Sequence, residues 1–173
     1  MAQVLPQWLR NKISRHSFWL EKCADASFLQ CVGLAADLQV IEGFVGQAEA
    51  VQPTPMVCVL HRMLQLRPTP ELLDEMIRQT SLKYLRFVAI LLVRVSIEDP
   101  VVVHAAIDVG LADFRTVRLR DADGLVSLVP FDVAVERLLT DSTFFGVPLP
   151  ALLSRANTAA VTGELMAWPA VDS

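Results

Sequence analysis

Cys58 and His61 stand three positions apart, the spacing at which two ligands on one helix face could share a metal ion. A structural zinc site needs two more convergent ligands, and no nearby Cys or His completes the spacing. Packing by Cys58 and ordinary hydrogen bonding by His61 are therefore expected. His16 and His104 are isolated in the same way; a catalytic histidine needs an orienting group and an attacking partner that the sequence does not supply. Asp121-Ala122-Asp123-Gly124 clusters oxygen ligands, but its glycine comes too early for a calcium loop and no terminal Glu follows, so a turn is expected. Asp74 and Glu75 would divide acid and base roles only inside a cleft, and on a helix surface they are solvated charges. Gly43-Phe44-Val45-Gly46 lacks the third glycine and the strand-to-helix setting of a phosphate cradle. These residues predict no catalytic site, no metal and no cofactor.

Arg115, Arg118 and Arg120, joined by Lys83 and Arg86, form the main local charge feature. Guanidinium forks bind phosphates and carboxylates alike, so RNA and an acidic protein surface are both open. The chain as a whole carries a net charge of -4 with a pI near 5.3, a poor match to nonspecific phosphate binding. No RNP-like aromatic-basic strand or zinc knuckle accompanies the arginines. Protein contact is the leading reading, and direct RNA binding the alternative.

The elements that must position these residues read as helices. Leu5–Ile13 and Phe18–Ala24 predict two short ones, and Val32–Val45 a third, with Val32, Ala35, Ala36, Gln39, Val40 and Gly43 at helical intervals. Thr54-Pro55 and Thr69-Pro70 each place a capping hydroxyl before a proline at the first helical position. Ser81 is expected to cap a helix from Leu82 to Val95 that is apolar all round and belongs at the centre of a bundle. Asp99-Pro100 opens another helix toward Leu111 or Asp113. From Arg115 to Val129 the period shortens to that of a hairpin, and Phe131–Leu139 returns to helical spacing. A short helix is expected to end near Arg155, with the residues from Asn157 onward frayed.

The expected fold is predominantly α: a single multi-helix domain over residues 1–155 with a small β-hairpin near residues 115–129, then a C-terminal segment at 156–173. The chain's 173 residues, 53% hydrophobic and 20% charged, suit one hydrophobic core rather than a disordered chain. Cys23, Cys31 and Cys58 form neither an even set nor a CxxC pair and read as reduced thiols of an intracellular protein. Arg10 and Lys12 precede any long apolar run, and the most apolar stretch, Phe87–Val93, is too short to span a bilayer. Neither a signal peptide nor a membrane partner is expected.

Three segments in order carry a resemblance: Gln52-Pro53-Thr54-Pro55-Met56-Val57-Cys58, Arg62-Met63-Leu64-Gln65 and Lys83-Tyr84-Leu85-Arg86. They are similar to the KPTPF-x-C, KMLQ and KYVR segments of the pre-mRNA-splicing factor 38 family, N-terminal domain. The likeness extends back to Arg10, Ile13, Trp19 and Cys23. It continues through Arg94, Asp113-Phe114-Arg115 (the family DYR), Asp132, Glu136-Arg137-Leu138-Leu139 and Leu149-Pro150, to about Arg155.

The resemblance implies a nonenzymatic, mainly helical scaffold in the nucleus. It implies association with the U4/U6-U5 particle or the precatalytic spliceosome and a need for the domain in its activation. The implied partners are a microfibrillar-associated protein 1 homologue and a small zinc-finger splicing protein. Residues expected at protein contacts are Tyr84, Arg115, Arg118, Asp132 and Glu136, with Tyr84 divided between anchoring a contact and packing the central helix. The sequence departs from the family where GGVYGG becomes Gly43-Phe44-Val45-Gly46-Gln47-Ala48. It departs again where a DEFIDELL-like acidic run is reduced to the Asp132 and Glu136 carboxylates.

Overall fold

In the computed structural model, residues 4–162 are described. α1 (Gln7–Ser14) is followed by a single π-helical turn (Trp19–Cys23), then α2 (Phe28–Ala36), α3 (Pro55–Leu66), α4 (Pro70–Ile77), α5 (Lys83–Ser96) and α6 (Pro100–Leu111). A hairpin of β1 (Thr116–Arg120) and β2 (Val126–Pro130) leads into α7 (Phe131–Thr140). Two-residue strands β3 (Thr143–Phe144) and β4 (Val147–Pro148) precede α8 (Arg155–Thr162). The mostly helical fold with its hairpin matches the sequence pattern.

Helix α5 is the axis. Every residue from Leu85 to Val95 is buried, and α2, α3, α4, α6 and α7 all pack on it. A helix apolar round its circumference can be satisfied only in this position, and each fully buried Phe, Leu or Ile contributes roughly 1.5–3 kcal/mol. The Phe87 ring meets Phe131 of α7 edge-on at 6.0 Å between centroids and Phe144 of β3 at 5.3 Å. α6 comes close because Gly110 has no Cβ: one built there would lie 2.8 Å from Val135 and 2.9 Å from Ile90.

Local chemistry sets several helix starts. Thr54 Oγ1 accepts from Val57 N at 3.5 Å and donates to the Gly43 carbonyl at 2.7 Å, so the same buried hydroxyl caps α3 and pins the segment before it. Thr69 Oγ1 accepts from Leu72 N at 3.4 Å, and Asp99 Oδ1 from Val101 N at 2.9 Å, each just ahead of a proline.

Three boundaries differ from the sequence pattern. The sequence pattern predicts the third helix over Val32–Val45, whereas α2 spans Phe28–Ala36. It starts earlier because Ser27 and Gln30 form a reciprocal capping box. It stops because the following chain is drawn into extended pairing, Ile41 with Leu119 and Val45 with Gln52. Ser81 does not cap α5: Leu82 occupies the cap position without a side-chain bond, and Arg86 N donates to its carbonyl at 3.0 Å. The last helix begins, rather than ends, at Arg155. His104 meets the Leu153 carbonyl at 2.8 Å, Arg155 pairs with Asp108 of α6, and Thr158 is fully buried. Of the C-terminal segment placed at 156–173, residues 163–173 lie outside the described residues.

Candidate protein-interaction surface

Four of the five residues singled out for contact gather around the hairpin. β1 and β2 pair antiparallel, with Val117 opposite Val129, Arg118 opposite Leu128 and Arg120 opposite Val126. Val117 and Leu119 turn into the core, while Thr116, Arg118, Val126 and Leu128 share the solvent face. On its other edge β1 is bonded to Ile41: Ile41 N donates to the Arg118 carbonyl and Arg120 N to the Ile41 carbonyl, both at 2.8 Å.

Most of the positive charge here is already committed. Arg115 holds Asp113 in a fork, Nε to Oδ1 at 2.9 Å and Nη2 to Oδ2 at 2.7 Å, and also donates to the Thr80 carbonyl. Arg86 reaches the same carboxylate at 2.6 Å and donates from Nε to the Ile77 carbonyl at 2.8 Å. Asp113 is therefore shared by two guanidinium groups, and its carboxyl is held below the ordinary range, first by the Arg115 bond. Arg120 pairs with the buried Glu42 at 2.8 Å, whose own carboxyl is raised by burial against that pairing. Lys83 Nζ donates to the Thr116 carbonyl at 2.5 Å. Arg118 differs: it is exposed, and its guanidinium makes no hydrogen bond or ion pair among the described residues.

Tyr84 sits half-buried and its hydroxyl accepts from Arg118 N at 3.1 Å, fastening α5 to β1. Asp132 joins the group through its backbone, its N–H donating to the Asp113 carbonyl at 3.0 Å, while its Oδ1 is sealed without a partner. Glu136 lies one turn further along α7, exposed and apart from the arginines. The structure thus unites Tyr84, Arg115, Arg118 and Asp132 and leaves Glu136 outside.

Sequence reasoning missed the apolar part of this surface. Phe114 is 73% exposed, Leu125 69% and Leu128 71%. A second surface was also missed: an open groove of about 460 Å³ between the π-helical turn and α2, lined by residues that include Leu20, Asp25, Gln30, Gly33 and Asp37. The signal in both places is an aliphatic residue standing beside polar ones at positions that a core pattern would fill, and it is weak from sequence alone.

The chemical alternatives resolve into structure. Cys58 faces His16 at 3.9 Å, whereas the His61 ring lies against Trp19 at 5.2 Å between centroids, so Cys58 and His61 do not converge. Burial pushes the Cys58 thiol up to about 12 and Cys23 to about 11, which makes both poor thiolates. Burial, aided by the charge of Arg10, lowers His61 to about 4. No group of three or more His, Cys, Asp or Glu among the described residues could hold a metal ion. Asp121 Oδ1 accepts from Asp123 N at 3.0 Å and Leu125 N at 2.9 Å, making the Asp-rich segment a turn. Asp74 pairs with Arg78 on an exposed helix face.

Fold and surface together define a mostly helical domain with a peripheral hairpin and no catalytic constellation among the described residues. The chain belongs to the PRP38 family, whose model matches residues 1–161. It is 32% identical over 147 residues to pre-mRNA-splicing factor 38 of Arabidopsis thaliana, covering 85% of this chain and 41% of that protein. To pre-mRNA-splicing factor 38 of Schizosaccharomyces pombe it is 31% identical over 158 residues, covering 88% and 73%. A chain in the crystal structure of the Snu23–Prp38–MFAP1(217–258) complex of Chaetomium thermophilum shares the fold, with a TM-score of 0.84 at 24% identity, covering 94% of this chain and 83% of that one. The chain thus spans well under half of the Arabidopsis relative.

Proposed function

We propose that this domain is a nonenzymatic scaffold of the spliceosome that positions other splicing proteins in the nucleus. In this reading it joins the U4/U6-U5 particle or the precatalytic complex and is required for the activation that follows. Its partners are a microfibrillar-associated protein 1 homologue and a small zinc-finger splicing protein, and the similar Chaetomium chain is itself held in a complex with Snu23 and MFAP1(217–258). Membership of the PRP38 family supports the setting.

The commitment of the arginines supports protein contact over RNA. A phosphate-binding patch needs guanidinium groups free to neutralise phosphates and so displace the counterions condensed on the nucleic acid. Here Arg86, Arg115 and Arg120 are tied to Asp113 and Glu42 within the fold, and only Arg118 of this cluster's arginines is left to face a ligand. Direct snRNA or pre-mRNA binding is the second reading.

A tagged pull-down from nuclear extract at moderate and high salt, before and after nuclease, separates the two. Nuclease-resistant recovery of splicing proteins is the expected result. Recovery that disappears with nuclease would favour RNA, and recovery of no splicing component would overturn the scaffold reading.

A further inference from the structure

The hairpin has one unfilled edge. Arg118 and Arg120 direct their backbone groups outward, to Tyr84 and Ile41. The antiparallel register therefore makes Arg118–Leu128 and Arg120–Val126 the pairs not bonded to each other. The N–H and C=O groups of Val126 and Leu128 consequently point away from β1, and no hydrogen bond reaches them among the described residues. Pro130 closes the ladder, having no N–H and standing at the cap of α7. Two donors and two acceptors are thus presented in a row, beside Val126 at 44% and Leu128 at 71% exposure. Soluble proteins blunt such an edge with short length, charge or cover, and none of the three residues from Val126 to Leu128 is charged.

We infer that the outer edge of β2 receives an extended segment of a protein partner as a third strand, and that this segment alternates aliphatic with acidic residues. The inference rests on the scaffold reading and names its surface. Backbone bonds to Val126 and Leu128 would fix register, while side chains on the solvent face pack against Leu128. Charge selects the partner. Arg118 is opposite Leu128 on that same face, two strand spacings or about 10 Å from the incoming chain, within the combined reach of an arginine and a glutamate. A second copy of this chain would instead bring its own Val126 and Leu128 to that face, with no carboxylate among them for Arg118.

The test places the photo-crosslinking amino acid p-benzoylphenylalanine at Leu125 of the intact chain. That exposed side chain lies next to the edge, and its substitution leaves Val126 and Leu128 in place. After irradiation in nuclear extract, crosslinked peptides and nucleotides are identified by mass spectrometry. The expected product is a splicing protein joined through an aliphatic and acidic segment. Leu128→Pro in the same background should reduce that crosslink tenfold or more. It removes the leucine side chain on the docking face together with an N–H that bonds to nothing among the described residues, and a thermal melt checks that the domain stays folded. Crosslinks to RNA, to a second copy, or to no partner while splicing proteins are still captured would overturn the inference and leave the scaffold reading standing. So would a crosslink indifferent to a folded Leu128→Pro variant. Failure of the unmodified chain to capture any splicing protein would remove both.

Discussion

Along α5 every side chain from Leu85 to Val95 is withdrawn from solvent, whereas along β2 Val126, Ser127 and Leu128 are all exposed. Both stretches are rich in Val and Leu, so composition does not separate them. What separates them is the neighbours the chain supplies: α5 has helices on all sides, while β2 has β1 on one edge and, among the described residues, no strand on the other. Even the charges follow this division. Arg86 of α5 is sealed against Asp113 with both side chains under a tenth exposed, while Arg118 beside β2 is left open. The interior spends its polar groups on itself, and the hairpin keeps some in reserve.

Removing a sealed partner should therefore have the largest effect. Arg86→Ala leaves Asp113 short of one guanidinium and uncovers the Ile77 carbonyl. Losing one member of a buried pair costs about 3–5 kcal/mol. Arg115 still holds the carboxylate, so the loss should fall at the lower end, read as a drop in the urea midpoint at pH 7. A loss below 1 kcal/mol would mean that the interior pair is no more committed than the surface.

Asp113→Asn sharpens the same point through pH. The Asp113 carboxyl is depressed by the Arg115 fork first, with the charge of Arg86 adding to it. A folded pKa below the unfolded value of about 3.9 stabilises the fold fully above that value. The contribution is lost as pH falls through the lower folded pKa. The variant should be about 2–3 kcal/mol less stable at pH 7, as for charged hydrogen bonds generally, and the two urea midpoints should converge as pH falls through the depressed folded pKa. Glu42 acts in the opposite sense, since its raised carboxyl favours the folded state at lower pH. Parallel midpoints down to acid pH would show that Asp113 is not the group responsible.

Much of the closed region was legible because its signals are local. Thr-Pro and Asp-Pro pairs announce three helix starts through bonds that span two or three residues, and the unbroken apolar run of α5 admits only a central place. The end of α2 was not legible, because Ile41 is taken by β1 from far along the chain, and no periodicity within Val32–Val45 encodes that partner. Tyr84, Arg115, Arg118 and Asp132 were found as candidates, but their division into committed and open groups needed Asp113, Thr80 and Thr116 in three dimensions. The exposed Leu125 and Leu128 were hidden by their own chemistry, since an aliphatic run ordinarily marks a core.

Gly110→Ala tests how tightly the closed region is built. The added methyl would press on Val135 and Ile90, which belong to two different helices. Overpacking of this kind costs about 1–3 kcal/mol. Because both contacts are branched side-chain ends, the smaller half of that range is expected, measured as a lower melting temperature with an unchanged helical circular dichroism spectrum. A gain in stability, from the better helix propensity of alanine, would show that α5, α6 and α7 have room to move apart.

The smallest effect on folding should accompany the largest effect on binding. Arg118→Glu reverses a charge whose guanidinium bonds to nothing among the described residues, so its stability should stay within about 0.5 kcal/mol of the parent. In the nuclear-extract capture, the same change should lose an acidic partner selectively and recover others normally, with the difference growing as salt is lowered. Arg115→Glu is the instructive contrast, because it sets a carboxylate against Asp113 and should reduce stability and capture together. If Arg118→Glu destabilises the domain as much as Arg115→Glu does, the open arginine is structural after all. If both fold and neither alters capture, the charge at the hairpin base does not select the partner.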